Sequence, residues 1–284
     1  MDYCYEFAGI RIFVTGPKEI LYSDHGVLTP FISDSTGEEH RLSFALSDHI
    51  DAPEGNCVYQ EKGVQVYRSG ASMVRYAGTC GSSHMRIERS GRNSRITCLR
   101  NVYSNGISPK TVLNGVEAEH LIIQNGGVIL HASFIRIGQK AILFTAPSGT
   151  GKSTQADLWC RYRDAELING DRAAITVENG LVFAHGIPYS GSSGVAKKAK
   201  LPIAAIVYLA QASQNTLEEM KGFHAFRKLW EGCSVNVWDK ADVDLASKTV
   251  LEILGLVPMC YLACRPDQEA VDTLAAALMD RGCL

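Results

Sequence analysis

The sequence predicts an α/β protein in two parts, a small β-rich N-terminal domain over residues 1–105 and a mixed-sheet α/β domain over 106–284. Three observations carry that expectation. Residues 1–105 hold short apolar runs of period two, broken often by Gly, Asn, Asp and Ser, as half-exposed antiparallel strands require. Beyond residue 105 the spacing changes to apolar strands interleaved with helix-length amphipathic stretches. The glycine-containing stretch 146–154 stands between one such strand and one such helix.

In the first part the alternating runs are residues 10–14, 57–59, 64–67, 85–87 and 96–99. Asn105, Gly106 and Ile107 then form a break. Ser108 as N-cap and Pro109 at the first helical position open a helix carried by Leu113, Val116 and Leu121, which Asn125, Gly126 and Gly127 stop. Residues 128–137 and 140–146, joined at Gly138 and Gln139, read as a β-hairpin whose second strand runs into 146–154. A helix follows over 153–163, and then a strand over 166–170 that ends at Asp171. Residues 173–177 and 181–184 form a second hairpin, and 201–209 a buried apolar strand. Asn215 with Glu218 three residues later makes a capping box for a helix running towards Trp230. A helix over 241–254 closes at Gly255, a strand occupies 257–264, and Pro266 with Asp267 starts the final helix.

Composition sets outer limits. With 46% apolar and 20% charged residues among 284, the chain has material for a core and lacks the signature of disorder. A net charge of −2 gives no field that would gather nucleic acid or anionic lipid. The nine cysteines are scattered without a C-x-x-C pair, so free thiols in a reduced, cytoplasmic setting are expected, with Cys260 and Cys264 buried. The first residues lack the basic-then-apolar order of a secretory signal, and no apolar stretch is long enough for a membrane span. Arg86, Arg89, Arg92, Arg95 and Arg100 surround the turn at Ser90 and Gly91. Without interleaved aromatics they read as a solvated hairpin rather than an RNA-binding face.

The most informative stretch is Ala146-Pro147-Ser148-Gly149-Thr150-Gly151-Lys152-Ser153-Thr154. A polyphosphate must be gripped by main-chain amides, so bulky side chains have to be absent where the backbone approaches it. Gly149 and Gly151 allow Ser148, Thr150 and their neighbours to turn successive N–H groups inward, and the following helix adds its positive end. Lys152 supplies a point charge for the β- and γ-phosphates. The Ser153 hydroxyl can ligate Mg²⁺, and Thr154 makes a second contact. The full pattern begins with glycine, where this chain has Ala146; the bland alternative is a glycine-rich turn between strand and helix.

Further residues extend the pattern. Gly126, Gly127 and His131 lie on the strand before the loop, Asn169, Gly170, Asp171 and Arg172 end a later strand, and Gly186, Ile187, Pro188, Tyr189, Ser190 and Gly191 precede the strand at 201. In this order and spacing, residues 126 to about 275 resemble the HPr kinase/phosphorylase family and its smaller relatives, which share a fold with phosphoenolpyruvate carboxykinase. The resemblance implies ATP or ADP with Mg²⁺ as cofactors and a kinase acting on a hydroxyl of a peptide, protein or small molecule. It places His131 beside the transferred phosphoryl group and makes Asp171 the second of two adjacent acids, with Ser153 and Asp171 serving the metal. The first acid, which in the family handles the hydroxyl proton, is glycine here, Gly170, so that either Asp171 or His131 takes the proton or the chemistry is altered. The acidic-arginine-glycine segment for docking a carrier protein is missing, so HPr itself is not the expected acceptor. Relatives form rings, which allows a homo-oligomer; neither nucleic acid nor a membrane is expected as partner.

Read from the residues alone, Asp171 sits at a strand end, where α/β proteins place reactive groups, or it merely begins a turn. His131 reads as a core histidine or a catalytic one. Arg172 either stabilises charge on the moving phosphoryl group or braces Asp171. The run 191–194 with Lys197, Lys198 and Lys200 reads as a solvated basic face or a substrate loop, and His185 and Tyr189 as lining an acceptor pocket. The competing functions are a nucleotide-binding regulatory module and a hydrolytic or carboxykinase-like use of the same loop.

Overall fold

A computed structural model of the chain describes residues 2–17, 26–34, 40–61, 63–69, 72–79, 82–103 and 109–284. The expected break at 105–107 and the Ser108 cap lie outside the described residues. Internal contacts divide the chain into two compact units, residues 1–118 and 119–284.

The first unit is built on β1 (Asp2–Phe7), β2 (Ile10–Thr15), β3 (His40–Ser47), β4 (Asn56–Glu61), β5 (Val64–Ser69), β6 (Ser72–Thr79), β7 (Ser82–Ser90) and β8 (Asn93–Leu99), followed by helices α1 (Arg100–Tyr103) and α2 (Pro109–Val116). The eight strands make one sheet in the order β1-β2-β3-β8-β7-β6-β5-β4. Alternation works as the sequence suggests, with Ile10, Ile12 and Val14 buried along β2 and Ile96 and Cys98 along β8. The all-antiparallel expectation needs correction: β3 runs parallel to both β2 and β8. Parallel neighbours need long connections, and the 15-to-40 and 47-to-93 intervals supply them. The arginines around Ser90 are largely ion-paired, Arg86 with Glu88, Arg89 with Glu117 and Arg100 with Asp48.

The expected single helix to residue 124 is two, α2 and α3 (Ala118–Gln124), because Glu117 between them takes a left-handed φ of 50°. Its carboxylate, 6% exposed, is held by Arg75 and Arg89, which supports a conformation that a side-chain-bearing residue rarely adopts.

The second unit continues with β9 (Gly127–Ile137), β10 (Lys140–Thr145), α4 (Lys152–Arg163), β11 (Glu166–Asn169), β12 (Arg172–Glu178), β13 (Leu181–Gly186), β14 (Lys200–Gln211), β15 (Thr216–Met220), α5 (Gly222–Gly232), β16 (Cys233–Ser234), α6 (Lys240–Leu256), β17 (Met259–Cys264) and α7 (Gln268–Asp280). Both expected hairpins are present, β9 with β10 and β12 with β13. Two long strands are shared. The first half of β9 pairs with β12 and its second half with β10. β14 likewise pairs with β13 at its start, then runs parallel to β10 and β17. The result is a mixed sheet system in which β10 enters the 146–151 loop between an antiparallel and a parallel neighbour. Successive residues of β10 point to opposite faces: Leu143 packs with Leu229, Val250 and Ile253 of α5 and α6, and Phe144 with Trp159 and Leu274 of α4 and α7. Each such fully buried side chain contributes about 2 kcal/mol.

Two boundary expectations fail for local reasons. Asn215 caps no helix; its Oδ1 accepts from Arg265 N and its Nδ2 donates to Asp267, while residues 216–220 add strand β15 to the edge of β17. The helix near Trp230 starts instead at Gly222. Gly255 does not close α6, which runs to Leu256 before Val257 turns extended ahead of Pro258. The eight described cysteines are all free thiols, Cys260 and Cys264 buried among them. Among the described residues no helix is long and apolar enough to cross a membrane.

Candidate active site

The site begins with the way β10 ends. Gly149 (φ 79°) and Gly151 (φ 117°) both occupy positive-φ conformations, and Gly151 forms the N-cap of α4. The loop folds back on itself, Thr150 N–H donating to Pro147 O (3.4 Å), and the first turn of α4, Lys152 to Thr154, borders the space it encloses. Lys152 is buried, and its ammonium spans the loop to the carbonyls of Ala146 (3.0 Å) and Pro147 (3.3 Å). Burial pushes its pKa below the ordinary lysine value, partly offset by the negative charge of Asp171. Gln211 at the end of β14 donates to the carbonyls of Gly149 and Thr150, bracing the loop from the neighbouring strand.

Across the enclosed space lies the junction of β11 and β12. Both pair with β9, and the two residues between them, Gly170 and Asp171, give their carbonyls to the Ser133 hydroxyl and the Ala132 N–H. Asn169 organises this junction. Fully buried, it accepts through Oδ1 from the N–H groups of Asp171 (2.9 Å) and Arg172 (3.0 Å) and donates through Nδ2 to the carbonyls of Ile187 (2.8 Å) and Tyr189 (2.6 Å). That register puts Arg172 opposite His131 and brings Asp171 Oδ1 to 3.3 Å from His131 Nε2. The hydrogen bond from His131 is the main influence holding the Asp171 carboxyl below the usual carboxylate range. Burial opposes it, and the charges of Arg172, His131 and Lys152 reinforce it.

His131, Ser148, Gly149, Gly151, Lys152, Ser153, Thr154 and Asp171 line one cavity of about 320 Å³, with Gly170 and Ser192 completing it. The structure thus brings together, around one space, eight residues expected to bind phosphate or work on it, among them Asp171 and Ser153, the expected metal pair. A small, mostly polar space holding a hydroxyl, a carboxylate and an ammonium fits a Mg²⁺-bearing polyphosphate. Thr150 lies outside it, on two neighbouring cavities of about 470 and 830 Å³.

Arg172 is also outside that lining. Its Nε is 3.5 Å from Asp171 Oδ2, its Nη1 reaches Glu119 (3.4 Å) and Ser234 (3.2 Å), and the guanidinium lies over the Tyr189 ring at 4.9 Å. Of the two readings of Arg172, the bracing one matches this geometry. His185 does not line an acceptor pocket. It is buried, its Nε2 2.8 Å from the Thr176 hydroxyl, and burial brings its pKa down to about 4. Lys197 and Lys200 pair with Glu166 and Glu178 at the surface. Gly170 has a steric cause: a Cβ there would lie 2.2 Å from Ser193 Oγ, so the turn Gly191–Ser193 fills the place of a side chain.

Nothing in the sequence marks Glu119 or Ser234, and Asn169 stands in it only as the end of a strand. A polar residue followed by Gly and Asp at a strand end was a usable signal for Asn169; Glu119 and Ser234 come from distant segments and carried none. Elsewhere, His120, Asp239 and Asp242 approach one another as metal ligands do. The oxygens of Asp242 are already taken by His120, Gln124 and Asn236, which makes it a hydrogen-bonded buried carboxylate.

Comparison with protein-family models finds no match, and comparison with curated proteins finds none. Among solved structures, the chain is similar to the Hpr(Ser) kinase/phosphatase from Coxiella burnetii, at 15% identity and a TM-score of 0.33, over 54% of this chain and 97% of that one. That likeness is distant.

Proposed function

We propose that residues 119–284 form a phosphate-loop kinase domain of the HPr kinase/phosphoenolpyruvate carboxykinase type, which moves a phosphoryl group from a nucleotide to the hydroxyl of a peptide, protein or small molecule. The observation that carries this is the single cavity in which the phosphate loop, with Lys152 and Ser153, faces the His131–Asp171 pair. Phosphoryl transfer needs mainly positioning and charge neutralisation, with one group to take the acceptor's proton. The loop amides and Lys152 would hold the polyphosphate. Ser153 and Asp171 would hold Mg²⁺, which when bound neutralises charge on the phosphate oxygens.

Asp171 receives the hydroxyl proton, and His131 keeps its carboxylate turned into the cavity. Because that carboxyl is held below the usual range, Asp171 stays ionised down to pH values at which ordinary carboxylates have protonated, and transfer should persist there. Arg172, pinned by Glu119, Ser234 and Tyr189, orients Asp171 from behind.

Calorimetry with ATP and magnesium, and turnover against a panel of hydroxyl acceptors, test the reading. Lys152→Ala should weaken nucleotide binding at least about tenfold and abolish turnover. Asp171→Asn should bind nucleotide normally and lose roughly 10²–10⁴ in rate. A fully active Asp171→Asn protein defeats the proton-acceptor assignment. A second reading, a nucleotide-binding module without turnover, draws on the side chain missing at Gly170; ATP bound but never consumed would favour it.

A further inference from the structure

We propose that Ser192 is itself a phosphoryl acceptor, so that the chain phosphorylates its own Ser192 hydroxyl from a nucleoside triphosphate held on the phosphate loop. This rests on the kinase reading above and adds a modification site to it.

The turn that carries Ser192 is built into the site. Gly191 has φ 51°, and a Cβ there would come 2.7 Å from the Asp171 Cβ, so the turn lies directly against the proposed proton acceptor. Ser193 occupies the space over Gly170, and its hydroxyl is spent locally, donating to Ser190 O (3.0 Å) and accepting from Val195 N (3.2 Å). Gly194 (φ 66°) then reverses the chain. The turn's approach is fixed by Asn169, which holds the carbonyls of Ile187 and Tyr189, and its exit by the Lys197 N–H on Ile168 O. Between these anchors Ser192 is exposed, has no hydrogen-bond partner among the described residues, and lines the same cavity as Lys152, Ser153, His131 and Asp171.

A tethered hydroxyl at a phosphoryl-transfer site reacts without the entropic cost of gathering a second molecule. In the transfer, a lone pair of Ser192 Oγ forms a bond to the γ-phosphorus. The bond from that phosphorus to the β–γ bridging oxygen breaks, and its electron pair leaves with the nucleoside diphosphate. The Ser192 proton passes to the Asp171 carboxylate. The product is a phosphoserine whose added negative charge lies beside Lys152 and the N-terminus of α4.

The test uses the full chain with magnesium and labelled ATP, read by intact mass, peptide mapping and calorimetric ATP binding on the same preparations. Expected is one phosphoryl group per molecule, on Ser192, formed at a rate per molecule independent of protein concentration. Label should be lost in Ser192→Ala and Lys152→Ala and kept in Ser192→Thr and Ser193→Ala. Bound ATP with Ser192 unmodified, label on another residue, or a rate per molecule that rises with protein concentration overturns transfer within one chain and leaves the kinase reading standing. Failure of both the wild type and Ser192→Ala to bind ATP overturns both.

Discussion

Replacing Asn169 by alanine removes four hydrogen bonds at once, two accepted from Asp171 and Arg172 and two donated to Ile187 and Tyr189. The residue is fully buried, so the four backbone groups lose their partner in a place poor in water. At a net cost of about 1 kcal/mol per bond, Asn169→Ala should destabilise the second unit by about 4 kcal/mol, near the upper end for a single substitution. All three tryptophans, Trp159, Trp230 and Trp238, lie in that unit, so urea unfolding followed by intrinsic fluorescence reports on it selectively. Asn169→Asp separates the two halves of the role. The carboxylate can still accept from Asp171 and Arg172, but it faces the carbonyls of Ile187 and Tyr189 with no proton to give. The segment carrying the Gly191–Ser193 turn should then loosen, and the buried charge facing two carbonyls should make this variant at least as unstable as Asn169→Ala. A loss below about 1 kcal/mol in Asn169→Ala, with phosphotransfer intact, would refute the idea that this side chain assembles the site.

Other outcomes follow from neighbouring features. The depressed pKa of His185, about 4 against 6.5 when unfolded, means that the unfolded chain gains a proton first as pH falls. Stability should drop by about 3 kcal/mol between pH 6.5 and 4 on this account, and urea midpoints of His185→Gln should show a correspondingly shallower pH slope over that window. Gly170→Asp, which restores an acid beside Asp171, should cost about 1–3 kcal/mol through the clash with Ser193. Gly170→Asp with Ser193→Gly should recover most of that in the same unfolding assay, and full stability of the single variant would contradict the packing.

The elements that were legible in the sequence were those with local causes. The loop at 146–154, the hairpin feeding it and the helix after it follow from glycine placement and apolar periodicity, and they stand in the structure within a residue or two. Asp171 and His131 were legible as candidates, and the β9–β12 register accounts for their proximity. What failed was decided at a distance. Asn215 has the local look of a cap, yet Arg265 and Asp267, some fifty residues on, claim its side chain. The parallel placement of β3 depends on partners from two remote segments, which alternation within a single strand cannot reveal. Arg172 shows the same limit, since its brace from Glu119 and Ser234 joins three separate stretches of chain.

The handover of β9 from one partner to the other takes place between His131, opposite Arg172, and Ala132, opposite Thr145. The histidine therefore sits on a seam, where a shift in either hairpin is passed to the imidazole through backbone pairing. Substitutions at the outer ends of those hairpins can shift the His131–Asp171 pair without touching the 146–154 loop, while the seam itself leaves little freedom for variation. On the proposed kinase reading, such a layout lets peripheral surfaces change while His131 and Asp171 keep one alignment.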